Sequence, residues 1–156
     1  MRLRVSSGEP LMLAAALAYA ARGWHVFPCV QGGKTPLTPH GFKDATTNPA
    51  IIRAWWDKTP QANVAISCGP SNLIVIDLDV KNGVDGRESW KYFCEELRHP
   101  VPVTTSVRTP SGGEHLYFTG HAKSQVGFRP GIDIRGDGSY VLAPPSCLAT
   151  GDYHEC

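Results

Sequence analysis

Leu73-Ile74-Val75-Ile76-Asp77-Leu78-Asp79-Val80 is a strand-like apolar run broken only by two carboxylates that alternate with hydrophobic residues. Successive strand side chains point to opposite faces, so Asp77 and Asp79 share one face while Ile76, Leu78 and Val80 share the other. Two ionised acids held that close repel each other, and a divalent cation that prefers hard oxygen ligands, such as Mg²⁺ or Mn²⁺, is the simplest way to keep both ionised. Metal-dependent phosphoryl or nucleotidyl chemistry is one reading. A strand whose end dips into solvent is the other.

Outward from this run the chain mixes helices and strands. Asn48-Pro49 is a helix start, with Asn as N-cap and Pro at the first helical position, and the helix carries Ile51, Ile52, Trp55 and Trp56 towards Pro60. Residues 64–67 and 73–79 read as neighbouring strands across the turn Gly69-Pro70-Ser71-Asn72. Nearer the N-terminus, residues 11–21 form an apolar run preceded by the capping-box pattern Ser6-Ser7-Gly8-Glu9 and by Pro10, with Gly23 placed to end a helix. Arg2 and Arg4, with Ala18-Tyr19-Ala20 inside the run, imitate a secretory signal, yet an ordinary first helix explains more of the residues. Residues 24–29 read as a short strand and 31–41 as a Gly- and Pro-rich loop; 87–97 read as a helix, and 103–107, 115–118, 132–135 and 140–143 as strands. The turn Gly136-Asp137-Gly138 favours antiparallel pairing. Regular βα alternation is missing, so an α+β fold is expected.

The 156 residues, 42% of them hydrophobic, suffice for one core, so a single compact domain is expected. With a net charge of +1, any nucleic acid must be held by a local cluster of Lys and Arg and not by the field of the whole protein. Five scattered cysteines without a CxxC pair argue against a disulfide framework and a cysteine zinc knuckle, so no zinc site is expected and a reducing, cytoplasmic setting is the simpler reading. No run approaches the length of a membrane span.

Three further clusters carry chemistry. Gly32-Gly33-Lys34-Thr35 imitates a P-loop but has Pro28 where the first glycine belongs and Pro36 where a helix must begin, which leaves Lys34 as a lone loop cation, either solvated or functional. In Thr109-Pro110-Ser111-Gly112-Gly113-Glu114-His115, Gly112 and Gly113 let backbone N–H groups approach an anion, Ser111 adds a hydroxyl, and His115 opens a strand; a plain hairpin turn would use the same residues. In Gly131-Ile132-Asp133-Ile134-Arg135-Gly136, Asp133 and Arg135 fall on one face, as a salt bridge or as a metal ligand beside a phosphate-binding cation. Three acids, a histidine, a glycine turn and two cations make up the inventory of a two-metal nucleotidyl transferase.

Asp77-Leu78-Asp79, Ser111 to His115 and Ile132-Asp133 resemble, in order and approximate spacing, the three motifs of the archaeo-eukaryotic primase superfamily: DxD, a small residue before x-His, and a hydrophobic residue before Asp. Within it the likeness is to the bifunctional primase/polymerase (Prim-Pol) N-terminal domain of phage, plasmid and prophage replication proteins. Ala18-Tyr19-Ala20-Ala21-Arg22-Gly23-Trp24-His25-Val26-Phe27-Pro28 looks like that family's opening helix and strand, Lys34-Thr35-Pro36-Leu37 like its lysine loop, and the stretch from Asp133-Ile134-Arg135-Gly136 to Ala143-Pro144-Pro145-Ser146 like its closing signature. The resemblance implies an RRM-like antiparallel or mixed sheet with flanking helices. It makes Asp77, Asp79 and Asp133 the catalytic, metal-binding acids of a two-metal Mg²⁺ or Mn²⁺ site. It assigns the incoming triphosphate to Ser111, Gly112, Gly113 and His115, with Arg135 and Lys34 as further contacts.

The expectation is a Prim-Pol catalytic domain over residues 1–156, cut short at its C-terminal end, which adds nucleotides from nucleoside triphosphates under direction of a single-stranded DNA template. A fused or separate helicase is the expected partner, and a membrane is not. Two rivals stand beside it: a glycosyltransferase whose DxD holds a nucleotide-sugar through its metal, favoured by regular βα alternation before the motif, and an inactive remnant that still binds nucleotide or DNA.

Overall fold

Alternation along the Asp77 strand divides the interior into two cores, one on each face of the sheet that contains it. The computed structural model describes residues 8–156. Its elements, in chain order, are α1 (Leu11–Ala21), β1 (Val26–Cys29), a 3₁₀ turn (Gly41–Asp44), α2 (Pro49–Lys58), β2 (Asn63–Ser67), β3 (Leu73–Leu78), β4 (Val80–Lys81), β5 (Val84–Asp85), α3 (Gly86–Glu96), β6 (Ser106–Arg108), β7 (Glu114–Thr119), β8 (Gln125–Arg129), β9 (Ile132–Arg135), β10 (Tyr140–Leu142), β11 (Cys147–Leu148), β12 (Gly151–Asp152) and β13 (His154–Glu155). Six strands form the main sheet in the order β13-β6-β7-β3-β9-β8, three form a second sheet in the order β1-β2-β10, and β4–β5 and β11–β12 are short hairpins. Every pairing between these strands is antiparallel, so the fold is α+β with helices packed against antiparallel sheets. Among the described residues no helix is long and apolar enough to cross a membrane.

The helix ends follow from local chemistry. Asn48 caps α2 by accepting the Ala50 N–H at 2.9 Å, and Pro49 occupies the first helical position, where its missing N–H leaves no bond unmade. At α3 the Asp85 carboxylate accepts the Arg87 N–H, and the Arg87 guanidinium grips the same carboxylate at 3.0 and 2.9 Å. Helix α1 ends in a Schellman turn: Gly23 takes a φ of +85°, its N–H donates to Ala20, and the Trp24 N–H reaches back to Tyr19 at 3.2 Å. The Trp24 ring then stacks on Tyr19 with centroids 5.7 Å apart, closing the hydrophobic contact of that motif. Of the predicted capping box, Ser6 and Ser7 lie outside the described residues, and Pro10 precedes α1 without a side-chain cap.

Leu73 and Val75 point into the main core, which joins α1, α2 and the three-stranded sheet through Tyr19, Phe27, Ile52, Trp56 and Ile66. Ile76 and Leu78 point the other way, where Leu116 and Ile132 form a second core with Trp90 of α3 and Phe128 packed against it. Asp77 has the phase of Leu73 and Val75. The register therefore sends its carboxylate to the main-core side.

Strand partnering departs from the sequence reading in three places. β2 and β3 are not neighbours, because β2 pairs with β1 and β10 while β3 pairs with β7 and β9. Their short connection crosses between sheets: the Ser71 hydroxyl accepts the His25 N–H and donates to the Ser67 carbonyl, which ties the turn to the β1 side. Likewise the glycine turn at 136–138 delivers the chain from β9 in the main sheet to β10 in the second, so no hairpin forms there. The edge strand β8 was not expected at all. It is largely exposed and bulged around Gly127, so it lacks the alternating apolar signal of its neighbours. The two-residue strands β4, β5, β11, β12 and β13 are likewise outside the sequence expectation, and the other differences are of boundary, such as Ser106–Arg108 in place of 103–107.

The cap at Asn48 supplies a first test. Asn48→Ala should lower unfolding stability by about 1 kcal/mol in urea titration, whereas Asn48→Asp, which keeps the acceptor, should unfold close to the parent.

Candidate active site

Antiparallel register places His115 of β7 directly opposite Asp77 on one side and Asp133 of β9 opposite it on the other. Directly paired residues in a sheet point to the same face, so three strands deliver a histidine and two acids in one row. Asp79 lies just past the end of β3, and backbone contacts fix it there. Its N–H donates to the Gly131 carbonyl and its own carbonyl accepts the Gly86 N–H, each at 2.8 Å. The crossing is so tight that a Cβ on Gly86 would fall 2.2 Å from the Gly131 carbonyl oxygen. Asp77, Asp79 and Asp133 can thus each offer an oxygen within 4.8 Å of the others. Three partly buried carboxylates of this kind form a hard donor set that fits Mg²⁺ or Mn²⁺.

Basic groups also balance these charges. Arg135 bridges two acids, with NH2 2.9 Å from Asp133 Oδ2 and Nε 3.5 Å from Asp77 Oδ2, and His115 Nε2 stands 3.4 Å from Asp77 Oδ1. The Gly127 N–H, turned inward by the bulge, donates to Asp133 Oδ1 at 2.8 Å, and Lys81 Nζ lies 3.2 Å from Asp79. Mutual repulsion of the acids, which the sequence alone suggested, is therefore offset within the chain. Burial pushes the Asp77 carboxyl towards its neutral form, but the His115 contact and charge, with Arg135 and Lys34 behind them, outweigh burial and hold it below the ordinary carboxylate range.

A cleft of about 310 Å³ opens over this row, lined by Lys34, Asp77, His115, Arg135, Tyr140 and Tyr153 among others. A smaller lobe of about 110 Å³ shares Lys34, Asp77, His115 and Tyr153, and adds Asp79, Thr109, Ser111 and Thr150.

Residues 16–156 match the family described as bifunctional DNA primase/polymerase, N-terminal (Prim-Pol). The chain belongs to this family. Membership assigns it DNA primase/polymerase-type nucleotidyl transfer, and the antiparallel setting of the DxD strand lacks the βα alternation that would favour a nucleotide-sugar reading. No curated protein matches the chain.

Within the Prim-Pol domain, the residues singled out from sequence fall around one opening. Lys34, His115 and Arg135 line the larger lobe, and Ser111 lines the smaller. The glycine turn abuts the end of β3, since a Cβ on Gly113 would fall 2.3 Å from the Leu78 carbonyl oxygen. The Gly112 N–H donates to the Thr109 carbonyl and closes the turn, so that donor is already engaged. Tyr153, absent from the sequence reading, lines both lobes with its ring centroid 5.9 Å from that of His115. Burial, with the charges of Asp77 and Asp79, pushes its hydroxyl up to about 12, so it remains a protonated donor at neutral pH. Tyr153 lies between β12 and β13, each only two residues long, so no alternating pattern around it marks it in the sequence.

Asp77 gives a pH-dependent prediction. Its folded value is depressed, so its ion pairs contribute stability above the unfolded value of about 4 and lose it as pH falls through the folded one. Parent stability should fall more steeply than that of Asp77→Asn as pH is lowered below about 4, read by urea unfolding across pH.

Proposed function

We propose that this domain catalyses template-directed transfer of nucleotides from nucleoside triphosphates to a 3′ hydroxyl, with Asp77, Asp79 and Asp133 as the acids that hold two Mg²⁺ or Mn²⁺ ions. The observation that carries this reading is the approach of the three carboxylates to within 4.8 Å, in a Prim-Pol domain that sets His115 beside Asp77. Metal bound by these acids supplies activation of the attacking hydroxyl and charge neutralisation at the leaving pyrophosphate. His115 and Arg135 keep Asp77 ionised at neutral pH, so its oxygens are available to a cation without prior loss of a proton. Lys34, Arg135 and His115 face the nucleotide's triphosphate across the larger lobe, and the Ser111 hydroxyl donates from the smaller one. The Ser111-to-Gly113 turn acts mainly through that hydroxyl and its close packing on β3, with the Gly112 N–H engaged internally.

A single-stranded DNA template is the second substrate, and with a net charge of +1 the domain gains little from long-range attraction to it. A fused or separate helicase in the replication of a phage, plasmid or prophage would raise the template's effective concentration at the cleft.

Primer extension tests the assignment. Asp77→Asn and Asp133→Asn should each lower turnover at least about a hundredfold. His115→Ala should instead act mainly on the nucleotide KM, raising it about ten- to a hundredfold. Extension that persists in the aspartate variants, or an unchanged nucleotide dependence without His115, would remove these residues from the mechanism.

A further inference from the structure

Two side chains with no role assigned from the sequence hold the loop that carries Lys34. Asn63 of β2 is fully buried, and its Nδ2 donates to the Gly33 carbonyl at 2.9 Å and to the Cys147 carbonyl at 2.7 Å. Its Oδ1 accepts the Cys147 N–H at 3.1 Å. One amide thus ties the residue before Lys34 to the segment that leads on to Tyr153. Tyr140 donates its hydroxyl to the Lys34 carbonyl itself at 2.9 Å, while its ring packs edge-on to Phe27 and stacks near Phe42 at centroid distances of 5.1 and 6.2 Å.

A buried amide with its bonds made resists displacement, because any shift leaves a donor or acceptor unsatisfied out of reach of water. A loop lysine has many rotamers to lose on binding a phosphate, and fixing the backbone from which it leaves reduces what remains to be ordered. Gly33 and Lys34 have both carbonyls engaged, by side chains from two strands of the second sheet. The point from which the lysine departs is therefore set on the wall common to both lobes.

We propose that Asn63 and Tyr140 are positioning residues that set Lys34 for the nucleotide's phosphates, so that nucleotide affinity depends on them through Lys34 and not through contacts of their own. This inference rests on the reading of Lys34 as a phosphate contact.

The test is a double-mutant cycle on the affinity of the chain for dATP, measured by equilibrium binding. Tyr140→Phe deletes one hydroxyl and keeps the packed ring. In the parent it should weaken dATP between about threefold and tenfold, and in the Lys34→Met background it should have no further effect. Asn63→Asp replaces the donor with an acceptor and should show the same dependence on Lys34; if that variant fails to fold, Tyr140→Phe decides. Equal losses with and without Lys34, or no loss from Tyr140→Phe, overturn the inference while leaving Lys34 a phosphate contact. Parent affinity in Lys34→Met overturns both. A merely structural role of Tyr140 would not yield non-additivity with Lys34.

Discussion

The pairing of Asp77 with His115 on one flank and Asp133 on the other is the constraint on which the candidate site depends. A slip of one residue along β3 would reverse every side chain, sending Leu73 and Val75 out of the main core and Asp77 into the apolar layer under α3. The burial of both faces therefore enforces the same register that assembles the acids. Catalytic geometry and core packing share one specification. Its difficulty is electrostatic: a buried carboxylate is costly unless it is paired. Arg135, reaching both Asp77 and Asp133, and His115 beside Asp77 meet that need within the row itself.

Around this rigid centre, the remaining groups arrive from distant parts of the chain, with Asp79 fixed by backbone contacts and the Lys34 loop held by the Asn63 and Tyr140 side chains. Asp79 is set by the Gly86–Gly131 crossing, where no room remains for a side chain. The bulge in β8 turns the Gly127 N–H onto Asp133, which ties the exposed edge strand to an acid of the cluster. The Lys34 loop comes from the second sheet and Tyr153 from the last segment, and both close over the acids where the two sheets meet. Residues on central strands thus supply the acids and the histidine, while loops supply the lysine and tyrosine on the opposing wall.

Legibility in the sequence follows the range of the interactions concerned. Asn48-Pro49 specifies a helix start through bonds spanning two residues, and it appears where the residues predict it. Alternation in Leu73–Leu78 likewise gives the strand and the face of Asp77, whereas Asp79 lies just past its end and is set by the Gly86–Gly131 crossing. Strand partners are another matter. Nothing local distinguishes the 68–72 connection from a hairpin, and its crossing between sheets depends on His25, far away in sequence. β8 was illegible because its residues are solvated and bulged, leaving no buried periodicity to detect. Tyr153 and Asn63 belong to the same class: one is a buried aromatic and the other a buried amide, and only tertiary contacts separate them from ordinary core residues. The motif residues were found because a family resemblance encodes long-range placement that periodicity does not.

The most direct measurement is equilibrium Mn²⁺ binding to the folded chain, with free ion followed by electron paramagnetic resonance. Binding should weaken about tenfold or more in each of Asp77→Asn, Asp79→Asn and Asp133→Asn, in protein that remains folded. Mn²⁺ affinity indifferent to Asp133, or absent in the parent, would contradict a metal centre built across β3 and β9.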